Sequence, residues 1–177
     1  LLSVTGVKTT NAQSTVGNDF WVTFLPNYET DADHPLTLSL IATASSPCSG
    51  TITNPYTNWS TSFEVSVGAT TIIDIPSSEA YSDDDTDNVV NIGLHVVSTE
   101  PISLFASNFR PYTFDVTDVL PTYSLGSNYI IQTYNESNRS IAMNPSSHTN
   151  SRSDGSCSEF TVFAVEDNTT VYITLAD

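Results

Sequence analysis

The sequence predicts an all-β protein: an antiparallel β-sandwich of about ten short strands, read as a portion of a larger β domain. Three observations carry this. Short runs rich in Val, Ile, Thr, Phe and Trp alternate apolar with polar residues, the period of a half-buried strand. Clusters of Pro, Gly, Asn and Ser punctuate those runs with turn chemistry. No stretch shows a convincing helical period.

Residues 1–16 open on Leu1-Leu2 and soon reach Asn11-Ala12-Gln13-Ser14. They read either as the tail of a secretory signal before a small-residue cleavage point or as an N-terminal strand or arm through Leu2, Val4 and Val7. Residues 17–177 then read as one β module. Phe20 to Leu25 is an aromatic and β-branched strand halted by Pro26-Asn27. Leu36 to Ala44 alternates Leu36, Leu38, Leu40 and Ala42 with Thr37, Ser39 and Ile41, and Thr51-Ile52-Thr53 is a short strand ended by Asn54-Pro55. Trp59 to Val67 sets Trp59, Thr61, Phe63, Val65 and Val67 on one face, and Gly68-Ala69 turns the chain into Thr71 to Ile75.

The stretch Val89 to Arg110 reads as a central hairpin. Leu94 and Val96 lie on one arm, Ile102, Leu104 and Ala106 on the other, and Ser98-Thr99-Glu100-Pro101 forms the turn. Pro101 fixes its own φ and biases Glu100 away from helix, which gives that turn a mechanism. Val116 to Leu120 and Tyr129 to Tyr134 are further strands. Residues 135–156 are polar and read as a surface loop. Phe160 to Val165 and Thr170 to Leu175 flank Glu166-Asp167-Asn168-Thr169 as a second hairpin.

Twenty acidic residues against four basic ones give a net charge of −16 over 177 residues. Lys8, Arg110, Arg139 and Arg152 are scattered, so no basic patch exists to neutralise phosphates, and nucleic acid and anionic lipid are excluded as expected partners. No apolar run approaches the 18 or so residues of a spanning helix. Acidity combined with abundant Ser, Thr and Asn suits a secreted or cell-surface protein.

Cys48 and Cys157 match no zinc or redox spacing. In an oxidising compartment they form a disulfide closing more than a hundred residues, worth about 4 kcal/mol by chain entropy. In a reducing one they are buried thiols.

Asp83, Asp84, Asp85 and Asp87, with Asn88, offer hard oxygen ligands of the kind calcium takes, although the spacing is not that of an EF-hand. The competing reading is a solvated acidic loop. Asn58, Asn135, Asn138 and Asn168 each open an Asn-x-Ser/Thr acceptor pattern, meaningful in a glycosylating host. No Gly-x-Ser-x-Gly elbow appears, and His34, His95 and His148 are far apart, so no catalytic residue is assigned. Tyr56, Trp59, Tyr112, Phe114 and Tyr123 lie near turns, where they form either a sugar- or protein-binding face or the edge of the core.

Four stretches together resemble the N-terminal domain family of the IgGFc-binding protein. They are Phe20-Trp21-Val22-Thr23-Phe24-Leu25-Pro26-Asn27-Tyr28, Gly93 to Asn108, Val119 to Ile131, and Ser158 to Val171. The resemblance covers about Gly17 to Thr174. It implies a secreted or surface module that binds a ligand rather than catalysing a reaction. Members of that family occur in a mucus glycoprotein that binds the Fc part of immunoglobulin G and in large bacterial surface proteins often described as adhesins. It also implies a longer domain. The acidic run Asp83 to Asp87, and Ile92 where a lysine is common, depart from the family pattern.

The expected function is therefore an extracellular adhesion or ligand-binding module for a protein or glycan on a host or matrix. The alternative is a structural subunit or spacer of an extracellular fibre or repeat protein, self-associating by strand exchange.

Overall fold

A computed structural model of the protein describes residues 14–25, 27, 34–80, 89–132 and 160–174. Of these, 14–125 and 163–174 belong to one compact unit, and 126–132 with 160–162 belong to a second.

In the first unit the elements are β1 (Val16–Val22), β2 (Thr37–Ala44), β3 (Cys48–Asn54), β4 (Trp59–Val65), β5 (Thr70–Ile75), a one-turn helix α1 (Ser77–Ala80), β6 (Leu94–Arg110) and β7 (Thr113–Val119). A 3-10 turn spans Thr122–Ser124. All strand pairings are antiparallel, as the sequence predicts. The described residues form one sheet of seven strands. Both helical turns are short enough to leave no period in the sequence.

The 17-residue strand β6 is the spine of the sheet. Along one edge, β1 pairs with Leu94–Val97 and Ile102–Ser103, and β7 continues with Leu104–Arg110. Along the other edge, β3 pairs with His95–Ser98 and β2 with Ile102–Phe109. The path β4-β3-β6-β2-β5 puts β4 and β5 at its two ends, yet they follow one another in the chain. Ala69 N–H donates to Ser66 O in the turn between them, and Thr71 Oγ1 donates to Glu64 O at 2.8 Å. The sheet therefore curls almost back on itself.

Here the structure corrects the expected hairpin. Val89–Arg110 contains no chain reversal; β6 runs straight through Ser98-Thr99-Glu100-Pro101. The physical reason is phase. Leu94, Val96, Ser98, Ile102, Leu104, Ala106 and Arg110 are all buried, and all fall on the same parity. A four-residue turn at 98–101 would put position 97 opposite 102. Val96 would then share its face with Ser103 rather than with Ile102, because directly opposed residues lie on one face. Only an unbroken strand keeps both apolar runs inward.

Pro101 is tolerated because the ladders stop around it. The β3 ladder ends at Ser98 and the β2 ladder starts at Ile102, while β1 passes from Ile102 to Val97 across an irregularity. Thr99, Glu100 and Pro101 thus have no strand partner, and the N–H that proline lacks is not required. Ser98 Oγ donates to Glu100 O at 2.8 Å, and Ser49 N–H donates to Thr99 Oγ1 at 3.1 Å, holding the interruption.

The core sits on the inward face of this curled sheet. Phe20, Leu40, Ala42, Ile52, Leu94, Val96 and Ile102 are fully buried, with Leu38, Phe63, Val65, Ile75 and Leu104 around them. The alternation read for 36–44 and 59–65 is the observed burial pattern of β2 and β4; Val67 lies beyond β4 and is exposed. Gly50 is required where it stands, because a Cβ there would lie 2.2 Å from the Phe63 ring and 2.7 Å from Val97 O.

Two further expectations change. Residues 129–132 of the expected strand from Tyr129 are in no ladder, and Tyr129, Ile130 and Ile131 are exposed. Tyr129 Oη instead accepts from Gly126 N–H at 2.9 Å within the second unit. The turn at Glu166–Thr169 does form, with Asn168 at φ 60° and Thr169 Oγ1 donating to Glu166 O at 2.8 Å. Its described flanks, 160–165 and 170–174, carry no strand. Alternation gives a segment the propensity for a strand, but a ladder also needs a free edge in register. Residues 135–156 and 1–13 lie outside the described residues.

Candidate ligand-binding surface

The outward face of β6 has two halves of opposite character. Beside its first half, β1 sets Trp21 opposite His95 and Asp19 opposite Val97. The Trp21 and His95 rings stack with centroids 4.3 Å apart and planes 13° apart, and Phe163 lies against Trp21 at 5.7 Å. Gly93 makes room for Phe163, since a Cβ at that position would sit 2.1 Å from its ring.

His95 Nε2 lies 3.0 Å from Asp19 Oδ2, and Thr122 Oγ1 donates to Asp19 Oδ1. Partial burial pushes the Asp19 carboxyl up, but the Thr122 hydrogen bond, the His95 hydrogen bond and the His95 charge together hold it below its ordinary value. Among the described residues no hydroxyl or thiol bonds to the His95 ring; Thr53 Oγ1 donates to the His95 carbonyl at 3.5 Å. The arrangement ties β1, β6 and the 3-10 turn together.

Beyond this pair the face is lined with hydroxyls. Thr51 and Thr53 of β3 lie opposite Ser62 and Ser60 of β4. A shallow groove of about 310 Å³ runs past Ser49, Gly50, Thr51, Ser62, Val97, Ser98 and Thr99, alongside the interruption in β6.

The second half carries exposed apolar side chains, although Ser107 is buried within it and Asp118 lies opposite Phe105. Phe109 lies opposite Phe114, with ring centroids 5.9 Å apart at 66°. Ser107 lies opposite Val116, and Phe105 is flanked by Ile41 of β2, itself opposite Ile72 of β5. Phe109 is 44% exposed, Phe114 61% and Val116 46%.

At the tip, Pro111 and Tyr112 join Arg110 to Thr113. Tyr112 has φ 76° and is 95% exposed. Proline first and a left-handed residue second is the pattern of a type II turn, which favours glycine or asparagine at the second place. A tyrosine there is strained. Its ring lies against that of His34, at 5.7 Å.

The base of the tip is firmly held. Arg110 is buried, and its Nε donates to His34 O at 3.2 Å. Asn27 Nδ2 donates to Asn108 Oδ1 at 2.7 Å, Asn108 Nδ2 to Leu25 O at 2.8 Å, and Thr113 Oγ1 to Asn27 Oδ1 at 2.7 Å. A strained, solvent-facing ring thus stands on a rigid, hydrogen-bonded base.

Of the turn-proximal aromatics singled out in the sequence, Tyr112 and Phe114 share this hairpin. Tyr56 and Trp59 belong to the β3–β4 turn, at the opposite end of β6. Tyr123 donates its hydroxyl to Val16 O at 2.6 Å in the 3-10 turn. Sequence reasoning missed Phe109, His34 and the role of β7. The local signal is Phe109-Arg110-Pro111-Tyr112-Thr113-Phe114, with aromatics on both sides of a proline turn.

Asn58 and Asn168 are exposed and both adopt φ 60°, a conformation asparagine tolerates; Asn135 and Asn138 lie outside the described residues. So do Asp83, Asp84, Asp85 and Asp87, the expected calcium ligands. No group of three His, Cys, Asp or Glu side chains suited to a metal forms among the described residues. Cys48 is buried in β3 and has no disulfide partner among the described residues; its expected partner Cys157 lies outside them. Burial, with the Glu100 charge adding to it, pushes the Cys48 thiol above its usual value. No helix among the described residues is long and apolar enough to cross a membrane. Compared with family models, curated proteins and solved structures, the chain matches none.

Proposed function

We propose that this protein is an extracellular, non-catalytic adhesion or ligand-binding module, presenting the β6–β7 hairpin to a protein or glycan on a host or matrix. The observation that carries the reading is Tyr112: a bulky ring held at φ 76° with 95% exposure. Folding gains almost nothing from such a side chain, and unrelieved backbone strain concentrates at functional sites. The acidic, hydroxyl-rich composition supports a secreted or cell-surface setting. Support also comes from the resemblance of Phe20 to Tyr28, Gly93 to Asn108 and Val119 to Ile131 to the N-terminal domain family of the IgGFc-binding protein. For the fold, we read the curled sheet as supplying both layers of a β-sandwich across the core.

The test is capture of mucins, matrix proteins, immunoglobulin and arrayed glycans by the intact chain and by Tyr112→Gly. Glycine suits the turn, so the variant keeps the fold. Loss of capture with an unchanged melting temperature supports the reading; capture unchanged by the substitution overturns it.

A second reading is a fibre subunit assembled by strand exchange; it is favoured by the outer edge of β7, which among the described residues has no strand partner and in that case takes a donor strand other than a second β7. Sedimentation velocity decides it, a strictly monomeric species counting against. The disulfide Cys48–Cys157 and a calcium ion at Asp83, Asp84, Asp85 and Asp87 belong to the same extracellular reading. Non-reducing peptide mass spectrometry and calcium calorimetry test them in turn.

A further inference from the structure

We infer that the outer edge of β7 receives an extended basic peptide segment, which adds to the sheet as a further strand. The inference rests on the reading of the β6–β7 hairpin as the binding region and names the partner it takes. Among the described residues β7 pairs only with β6, so the row of backbone N–H and C=O groups on its other side has no strand partner. Phe114, Asp115, Val116, Thr117 and Asp118 are exposed in succession, so neither face of β7 is covered. Natural sheets usually blunt such an edge with proline, a bulge, charged side chains or a covering element. Of these, among the described residues, β7 has only the charges of Asp115 and Asp118.

Its charges decide the occupant. Asp115 and Asp118 lie on opposite faces of the strand, and neither side-chain carboxylate has a hydrogen-bond or ion-pair partner among the described residues. The one arginine in this hairpin, Arg110, is buried. A second copy of this chain would bring its own two aspartates to the same edge of a chain already at −16, so self-pairing is opposed by like charge.

A basic segment reverses that sign. Added antiparallel, it meets Phe114, Val116 and Asp118 on one face and Asp115 on the other. Apolar side chains opposite Phe114 and Val116, with lysine or arginine opposite the aspartates, satisfy both.

The test uses the intact chain and three fluorescent heptapeptides: one, Thr-Lys-Thr-Val-Lys-Val-Thr, that in antiparallel register sets lysine opposite Asp118 and Asp115 and valine opposite Val116 and Phe114, the same sequence N-methylated at alternate residues, and one with glutamate for lysine. N-methylation keeps the charge but removes the donors a new strand needs. The lysine peptide is expected to bind at least tenfold more tightly than the N-methylated one. It should slow amide exchange in β7, and it should lose about tenfold in affinity in Asp115→Asn/Asp118→Asn. Equal binding of the lysine and N-methylated peptides, no binding of either, or protection outside β7 overturns strand addition. If Tyr112→Gly abolishes capture of a host ligand while the peptides fail, the hairpin remains the binding region and only the strand-addition mode falls.

Discussion

β1 and β7 lie on the same edge of the same strand, one following the other along β6, and they are built to opposite ends. β1 is occupied on both faces. Inward, Phe20 and Val22 enter the core; outward, Trp21 stacks on His95, and Asp19 bonds His95 and Thr122. β7 buries only Val119 and leaves five successive residues in solvent. Antiparallel pairing with one partner strand thus leads to very different burial. Along this edge, buried side chains are concentrated where β6 begins, and uncovered ones where it ends. That separation lets the second region change its contacts without endangering the first.

The largest expected effect sharpens the contrast directly. Phe20→Ala empties a fully buried site and should cost about 3–5 kcal/mol, whereas Phe114→Ala should cost under about 1 kcal/mol. Urea denaturation of both variants measures this, and comparable losses would erase the distinction between the two strands.

Next in size is the Asp19 node. Thr122→Val removes a hydrogen bond to a charged carboxylate and should cost about 1–2 kcal/mol at neutral pH. Because the folded Asp19 carboxyl is held below its unfolded value, its contribution is complete above about pH 4 and is lost as pH falls through the lower folded value. Wild type should therefore lose more stability on acidification from pH 5 to pH 2 than Asp19→Asn does. Parallel pH profiles for the two proteins would remove the ion pair from the account of β1.

The smallest effect carries the opposite sign. Tyr112→Gly should leave stability unchanged or raise it by about 1 kcal/mol, since it relieves a left-handed backbone without uncovering core. A clear loss of stability would mean that the ring serves the fold, and the tip would join β1 as scaffold.

Much of the scaffold was legible in the residues. The alternations of 36–44 and 59–65 predict β2 and β4 with the correct inward face, because period-2 burial is a local property. At Val89–Arg110 the signals conflict: Leu94, Val96, Ile102, Leu104 and Ala106 share one parity, which favours an unbroken strand, while Pro101 suggests a turn. What a proline means inside a strand depends on whether neighbours pair there, and the gap between the β3 and β2 ladders is invisible in a single sequence. The same limit explains the candidate site. Tyr112 and Phe114 stand out as aromatics beside Pro111, but whether β7 gains a second neighbour, and whether Tyr112 takes a positive φ, depend on the assembled sheet.

The placement of β6 also sets a timetable during synthesis. β1, β2 and β3 all need β6 as a pairing partner, and Val22 meets Leu94 only after some seventy intervening residues have been made. At roughly 5–20 residues per second, the apolar faces of Phe20, Leu40 and Ile52 wait several seconds for their partner. A chain that must keep three sticky strands apart until its sixth arrives is well served by strong self-repulsion, and the eleven acidic residues that stand against Lys8 in residues 1–94 supply it before β6 is made.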